Sequence, residues 1–209
     1  MKVVVFVDVQ KDFVLTTGAL PYKYPEEPNH QKIINFAKQC RAKGYQLFAT
    51  VDTHDRTRYE EGKPYQGYLT TYEGKNLPIE HCIQGTTGHQ IIDGLVKDEN
   101  RDIIIPQGHI VDKYGFGSFQ LYFKLEMMEK HIGEPIEEVI VCGYCTSICV
   151  ISNALMLRSY FHNVPVTVVG ELCGDIDKES QEAAFKVMHN CMISVKSADC
   201  ALGVPQDAA

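Results

Sequence analysis

The sequence predicts an α/β fold, a doubly wound and mainly parallel six-stranded sheet with helices on both faces. Two observations support this fold class. Short apolar runs without polar alternation recur along the chain, which is typical of strands buried on both faces. Most of these runs are followed by a longer segment with helical apolar spacing, and such alternation indicates a parallel sheet. We expect residues 1–209 to form a single domain, because a chain of this length fits one compact core.

The patterns assign six strands and four helices in chain order. Strands are assigned to continuous apolar runs, and helices to segments whose apolar residues recur every three or four positions. Gly44 provides a stop after the first helix. The predicted strands are Val3–Val9, Tyr45–Val51, Asp102–Pro106, Ile136–Cys142, Val164–Val169 and Met192–Val195. The predicted helices are Asn29–Lys43, Phe116–His131, Ser147–Phe161 and Lys178–Cys191.

One long segment, residues 53–88, lacks either periodicity and is rich in Gly, Pro, Tyr and Thr. A long irregular loop in a compact domain is commonly functional. We therefore expect loop 53–88 to form part of the site, while the pattern assigns no specific role to its portion 55–76.

Composition excludes several classes of function. The net charge is −7 and the basic residues are scattered, which argues against a nucleic-acid or anionic-membrane partner. No apolar run approaches the roughly 20 residues that span a bilayer, and the run before Asp8 is too short for a signal peptide. Several of the eight cysteines lie inside apolar runs, as expected of buried thiols in a reducing compartment. We expect a cytoplasmic protein.

Polar residues that can do chemistry follow several of the predicted strands. In open α/β sheets, ligands bind beyond the carboxyl ends of the strands. Asp8 ends the first strand, Lys113 follows the third, and Cys149 lies in the first turn of the helix after the fourth. A helix N-terminus and a nearby ammonium both favour a thiolate, and a carboxylate can accept the thiol proton. The pattern predicts a cysteine nucleophile, Cys149, with Lys113 and Asp8 as its partners.

Three sequence blocks resemble the isochorismatase-like cysteine hydrolases, a family that includes nicotinamidases. The blocks are Asp8-Val9-Gln10-Lys11-Asp12-Phe13, Lys113-Tyr114-Gly115-Phe116-Gly117-Ser118-Phe119 and Gly143-Tyr144-Cys145-Thr146-Ser147-Ile148-Cys149-Val150. The resemblance implies a catalytic triad of Asp8, Lys113 and Cys149. It also implies a cis peptide bond between Tyr144 and Cys145, with the N–H groups of Cys145 and Cys149 directed at an oxyanion. The implied substrate pocket is lined by Phe13, Phe116 and Tyr144.

A divalent metal site is also expected. Asp52 and His54 lie on one side of an extended strand end, and the resemblance adds His81 and, with less support, Glu73. Two histidines with one or two carboxylates suit zinc, with iron or manganese as substitutes. The competing interpretation is that His54 and His81 only form hydrogen bonds within the long loop.

The family resemblance implies hydrolysis of a small amide, foremost nicotinamide to nicotinate and ammonia through a thioester. Two departures bear on the substrate: Thr53 stands where nicotinamidases typically have Trp, and Ser147 where they commonly have Asp. The alternatives are hydrolysis of another small amide, ureido or carbamoyl compound, and a non-catalytic binding module on the same fold. Relatives are often homo-oligomers, so we expect one here.

Overall fold

A six-stranded parallel sheet forms the centre of the protein in a computed structural model that describes residues 1–204. Its strand order is β5–β2–β1–β6–β7–β8, and every neighbouring pair is parallel. The predicted fold class is therefore confirmed. The sheet strands are β1 Lys2–Val7, β2 Gln46–Asp52, β5 Ile110–Lys113, β6 Glu138–Tyr144, β7 Val166–Gly174 and β8 Ser194–Lys196, while β3 Arg58–Glu60 and β4 Lys63–Gln66 form a separate antiparallel hairpin.

The sheet is wound in two directions from its middle. The chain passes from β1 outward through β2 to β5, then returns to β6 beside β1 and continues outward to β8. Ligands bind at such a switch point, here beyond the carboxyl ends of β1 and β6. The strands approach closely there, because a Cβ on Gly143 would lie 2.0 Å from the carbonyl oxygen of Val7. Only glycine fits, and its φ of +132° also favours it.

In the described part of the chain, seven α-helices flank or connect the strands. In α4 the Ser118 side chain caps the first turn by accepting from the Leu121 N–H, and Gly133 ends the helix with a left-handed conformation. Within residues 1–204, no helix has the length and apolar character needed to cross a membrane. The helices are α1 Lys11–Val14, α2 His30–Ala42, α3 Tyr72–Asn76, α4 Phe119–Ile132, α5 Ile151–Tyr160, α6 Lys178–Asn190 and α7 Ala198–Ala201.

The predicted third strand at Asp102–Pro106 is wrong. The strand that joins the sheet is β5, Ile110–Lys113, which pairs with β2. Ile104 and Ile105 are buried, but their N–H groups bond to the carbonyl of Val96, so this apolar run packs into the core without entering the sheet. The shift matters for function, because Lys113 becomes the last residue of a sheet strand.

Other boundaries also differ from the sequence-based expectations. The fifth sheet strand in chain order, β7, extends to Gly174 because a register irregularity lets it pair with both ends of β6. The segment 53–88, expected to be irregular, contains the β3–β4 hairpin and helix α3. The predicted domain end at residue 209 lies outside the described residues.

Candidate active site

Asp8 lies immediately after β1 and is completely buried. Its φ of +51° is a conformation that residues other than glycine rarely adopt, and residues held in this way cluster at active sites. The hydroxyl of Thr50 donates to Asp8 Oδ1 at 2.7 Å, and the Asp8 N–H donates to the carbonyl of Thr50 at 3.2 Å. Strand β2 therefore fixes both the backbone and one carboxylate oxygen, which leaves the other oxygen for a second partner.

The side-chain nitrogen of Lys113 contacts four polar groups at this end of the sheet. The side chain is 1% exposed, and its Nζ lies 2.8 Å from Asp8 Oδ2 and 3.2 Å from Asp52 Oδ1. The same nitrogen donates to the carbonyl of Gly115 at 3.0 Å and lies 3.4 Å from Cys149 Sγ. One ammonium thus contacts two carboxylates and the candidate nucleophile.

Cys149 lies in a π-helical turn, Thr146–Val150, between β6 and α5. Such wide turns are frequent at functional sites. The Cys145 carbonyl accepts from the N–H groups of Ile148 and Val150, at 3.2 and 3.0 Å. The peptide bond between Tyr144 and Cys145 is cis. The turn places the Cys149 thiol, which is nearly buried, against Lys113.

Burial dominates the protonation of the nucleophile. It raises the pKa of the Cys149 thiol well above its ordinary value, and the opposing Lys113 charge does not outweigh it. Burial also raises the pKa of Asp8, while the pKa of Lys113 is raised by the carboxylates around it despite burial. Burial therefore opposes the thiolate that Lys113 and the helix N-terminus were expected to favour.

Asp52, His54 and His81 form a cluster with metal-ligand chemistry. One potential ligand atom from each lies within 4.8 Å of the others, and all three side chains are buried. Asp52 Oδ2 lies 3.0 Å from His54 Nε2 and 3.4 Å from His81 Nε2. His81 Nδ1 donates to the carbonyl of Ile79 at 2.7 Å, because a carbonyl can only accept. That hydrogen bond leaves the Nε2 lone pair for a cation, as in many histidine metal sites.

Glu73 lies at the margin of this cluster. Its Oε1 is 3.8 Å from His54 Nε2 and 3.9 Å from His81 Nε2, and its side chain is 22% exposed. Burial opposes ionisation of Asp52, but its contacts with His54, His81 and Lys113 outweigh burial and hold its pKa well below the ordinary range. The donor set of one ionised carboxylate, two imidazoles and a nearby second carboxylate fits a divalent ion such as zinc.

The three expected pocket residues differ in position. The ring of Phe13 is buried and lies 5.5 Å from the ring of His81. Phe116 is half-exposed on the loop between β5 and α4. The side chain of Tyr144 is fully buried, stacks on Tyr22 and donates to Asn29. The core encloses the Tyr144 side chain, so its predicted role at the substrate pocket rests on its backbone, at the cis peptide bond to Cys145.

Two supporting residues escaped the sequence analysis. Buried Asn153, one helical turn after Cys149, donates to the carbonyls of Cys149 and Phe116 and accepts from the Ser118 N–H. Asn153 therefore links the helical turn that contains Cys149 to the segment after Lys113. Buried Asp175, just after β7, accepts from the N–H and hydroxyl of Ser147 at 2.7 and 2.8 Å. A polar residue at a strand end was the available signal for Asp175.

The fold and site define an α/β protein with a buried cysteine, a lysine and carboxylates at its switch point, and the comparisons name its family. The isochorismatase domain model matches residues 2–200, so the chain belongs to the isochorismatase family. The nicotinamidase of Saccharomyces cerevisiae is 24% identical over 178 residues, covering 74% of this chain and 80% of that protein.

Two solved structures share the fold. The crystal structure of the nicotinamidase PncA from Bacillus subtilis matches with a TM-score of 0.73 and 20% identity, over 94% of this chain and 99% of that one. The structure of the Pyrococcus horikoshii pyrazinamidase in complex with zinc matches with a TM-score of 0.66 and 22% identity, over 94% of this chain and 98% of that one. The chain is thus similar to proteins named nicotinamidase and pyrazinamidase.

Proposed function

We propose that this protein is a cysteine-dependent amidohydrolase that converts nicotinamide to nicotinate and ammonia. The observation that carries the proposal is the position of Lys113 Nζ, in contact with Asp8, Cys149 and Asp52 at once. This contact joins a candidate nucleophile and base to a cluster suited to a metal. The names of the yeast relative and of the Bacillus and Pyrococcus structures support the substrate class.

The chain's own residues suffice for an acyl-transfer sequence. Asp8 takes the thiol proton of Cys149 as the sulfur attacks the amide carbon, so no free thiolate has to persist in the buried site. The oxyanion accepts from the N–H groups of Cys145 and Cys149. When the C–N bond breaks, Asp8 returns the proton to the departing ammonia. Asp8 then deprotonates a water that attacks the thioester, and the Cys149 sulfur leaves with a proton.

The proposed metal ligands are Asp52, His54 and His81, with Glu73 as an additional carboxylate. A zinc ion held there would supply an open coordination position that orients a ring nitrogen of the substrate. Lys113 stays protonated throughout, because the two carboxylates that face it favour its charge. It therefore holds Asp8 and Asp52 in place and compensates negative charge as the sulfur attacks.

A second candidate is the same chemistry on another small amide, ureido or carbamoyl compound. Thr53 supports this second candidate. Its hydroxyl bonds to the ring of His89 at 2.9 Å, so the side chain does not extend toward substrate as a large aromatic would.

The test is ammonia release from nicotinamide, with added zinc or manganese, by wild type, Cys149→Ala and the exposed-site control Cys191→Ala. Release by wild type and Cys191→Ala alone supports nicotinamide as substrate. Release by Cys149→Ala would overturn the mechanism, and inert wild type would leave the other small amides to be screened.

The eight cysteines are all free, and a thiol nucleophile persists in a reducing compartment, which supports the proposed cytoplasmic location.

The proposed homo-oligomer would form on α4. Phe119, Phe123 and Met127 recur every four residues and are 74%, 63% and 63% exposed. With the neighbouring exposed aromatics Tyr114, Phe116 and Tyr160 they offer on the order of 700 Å² of apolar surface.

That area approaches the roughly 800 Å² that each partner buries in a standard interface. Phe119, Phe123 and Met127 form an exposed apolar stripe along α4. Two hollows flank this stripe: one of about 430 Å³ between Phe119 and Tyr160, and one of about 240 Å³ beside Phe123 and Met127. In the proposed dimer, a two-fold axis would place the stripe of a second copy against one of these hollows.

A further inference from the structure

We infer that Gln10 and Asp12 are positioning residues for the metal-ligand cluster, although neither supplies a ligand atom. The inference rests on the proposed metal site. Its ligands come from two separate parts of the chain, the end of β2 with Asp52 and His54, and the loop that carries His81. Between them run the β3–β4 hairpin and α3, so the cluster needs contacts that hold its two parts together.

Gln10 holds the β2 part of the cluster. Its side chain is fully buried, and its Oε1 accepts from the N–H of Asp52 at 2.7 Å. Its Nε2 donates to the carbonyl of Asp52 at 2.9 Å and to the carbonyl of His89 at 2.9 Å. One amide therefore bonds both backbone polar groups of Asp52. These hydrogen bonds fix the backbone of Asp52. They thereby restrict the position of its carboxylate, which contacts Lys113 and both histidines.

Asp12 holds the part of the cluster that contains His81. Its Oδ2 accepts from the N–H of Cys82, the residue after His81, at 2.7 Å, and its Oδ1 accepts from the N–H of Ala19 at 2.9 Å. The returning chain closes over this carboxylate, since a Cβ on Gly88 would lie 2.1 Å from it. The Asp12 carboxylate is thus tightly enclosed, and it bonds to the residue next to the proposed ligand His81.

The backbone joins the two parts directly as well. The N–H of His54 donates to the carbonyl of Cys82 at 3.1 Å, and the N–H of Gln84 donates to the carbonyl of His54 at 2.9 Å. Gln10 bonds the chain at Asp52, just before this short pairing, and Asp12 bonds it at Cys82; both residues lie on the segment that follows Asp8. The same segment that carries the candidate base therefore sets the spacing of the candidate metal ligands. Outer partners of this kind change metal affinity about 10- to 100-fold when removed.

The test is zinc affinity, measured by competition with a chromophoric chelator in the absence of substrate. The variants are Gln10→Met, which keeps the side-chain length, and Asp12→Asn, which weakens acceptance at Cys82. Matched controls are Gln31→Met on the exposed face of α2 and Asp98→Asn, whose carboxylate accepts from two loop N–H groups away from the site. We expect about 10- to 100-fold weaker zinc binding for the first pair and wild-type affinity for the controls.

Wild-type zinc affinity in folded Gln10→Met and Asp12→Asn would overturn the inference and leave these residues a purely structural role. If Gln10→Met does not fold, Gln10→Glu replaces it, because it still accepts from Asp52 while losing both donated hydrogen bonds. Unchanged zinc affinity in Gln10→Glu would also overturn the Gln10 assignment. Zinc binding by a wild type that does not hydrolyse nicotinamide would overturn the proposed substrate alone. A wild type without zinc affinity would overturn the proposed zinc site and this inference, while the Cys149 chemistry is decided by ammonia release.

Discussion

Asp52 Oδ1 lies 3.2 Å from Lys113 Nζ, while the other oxygen of the same carboxylate faces His54 and His81. One buried carboxylate therefore belongs both to the candidate triad and to the candidate metal cluster. Charge on Asp52 is balanced from two sides, by an ammonium and by the imidazoles. We therefore expect a substitution in the triad or in the metal cluster to alter the other group of residues through Asp52.

Replacing Asp52 should affect both halves of the site. In Asp52→Asn the side chain keeps its shape but loses its charge, so we expect more than roughly 100-fold weaker zinc binding, beyond the effect of an outer partner. Lys113 keeps Asp8 as its counterion, so the loss of unfolding free energy should stay below about 3 kcal/mol. Chelator competition and urea unfolding measure the two effects. Asp112→Asn, the exposed neighbour of Lys113, is the matched control, and equal zinc affinity in both variants would contradict the shared role.

The state of Cys149 in the free enzyme can be tested by alkylation. Because burial raises the pKa of its thiol, we expect iodoacetamide to modify Cys149 more slowly at pH 7.5 than the exposed Cys191. The rate at Cys149 should keep increasing with pH above the ordinary thiol pKa of about 8.5, because burial raises the pKa of this thiol. Peptide mass spectrometry follows both sites in one sample. Faster modification of Cys149 at neutral pH would show that Lys113 outweighs burial and holds a resting thiolate.

Strand-end geometry made the candidate triad predictable. Asp8 and Cys149 each follow a continuous apolar run, and parallel strands bring their carboxyl ends to one edge whatever the intervening sequence. Lys113 was predicted as a residue shortly after the third strand and was supported by its motif, although the strand that carries it is β5 and not Asp102–Pro106. Apolar content alone could not separate that buried loop from a sheet strand, because both bury isoleucines.

Side-chain roles that depend on long-range contacts were not predictable. Gln10 bonds to Asp52 across 42 positions, and the sequence shows only a glutamine in a motif. The burial of the Cys149 thiol, which raises its pKa, also escaped prediction, because it depends on how the turn after β6 packs. Residue type and spacing indicate which chemistry is available, whereas the packed structure determines which charge state is stable.

The carboxylate of Glu138 should make stability depend on pH. Burial opposes its ionisation, but hydrogen bonds from Lys2 and Thr167 outweigh it and lower its pKa. Its stabilisation is therefore complete above the unfolded-state pKa of about 4.3 and is lost as the pH falls through the lower folded value.

We expect Glu138→Gln to reduce the unfolding free energy at pH 7 by about 1 kcal/mol, and to differ less from wild type at pH 3. Urea unfolding at both pH values measures this change. Glu134→Gln, at an exposed position near the same strand, should show neither effect. A constant difference between Glu138→Gln and wild type at both pH values would contradict the assigned linkage.

Self-association should depend on the exposed face of α4. Replacing Phe123 or Met127 with Ser removes apolar surface from the centre of the stripe while leaving the buried face of the helix, with Leu121 and Leu125, intact. We expect wild type to sediment as a dimer at micromolar concentration and the two variants to dissociate at least about 10-fold more readily, since each loses roughly 1.5–3 kcal/mol of burial per side chain. Met192→Ser, at an exposed position just before β8, the edge strand opposite β5, should sediment as wild type does. A wild type that stays monomeric at its highest soluble concentration, or a dimer unaffected by Phe123→Ser, would show that this surface is not the interface.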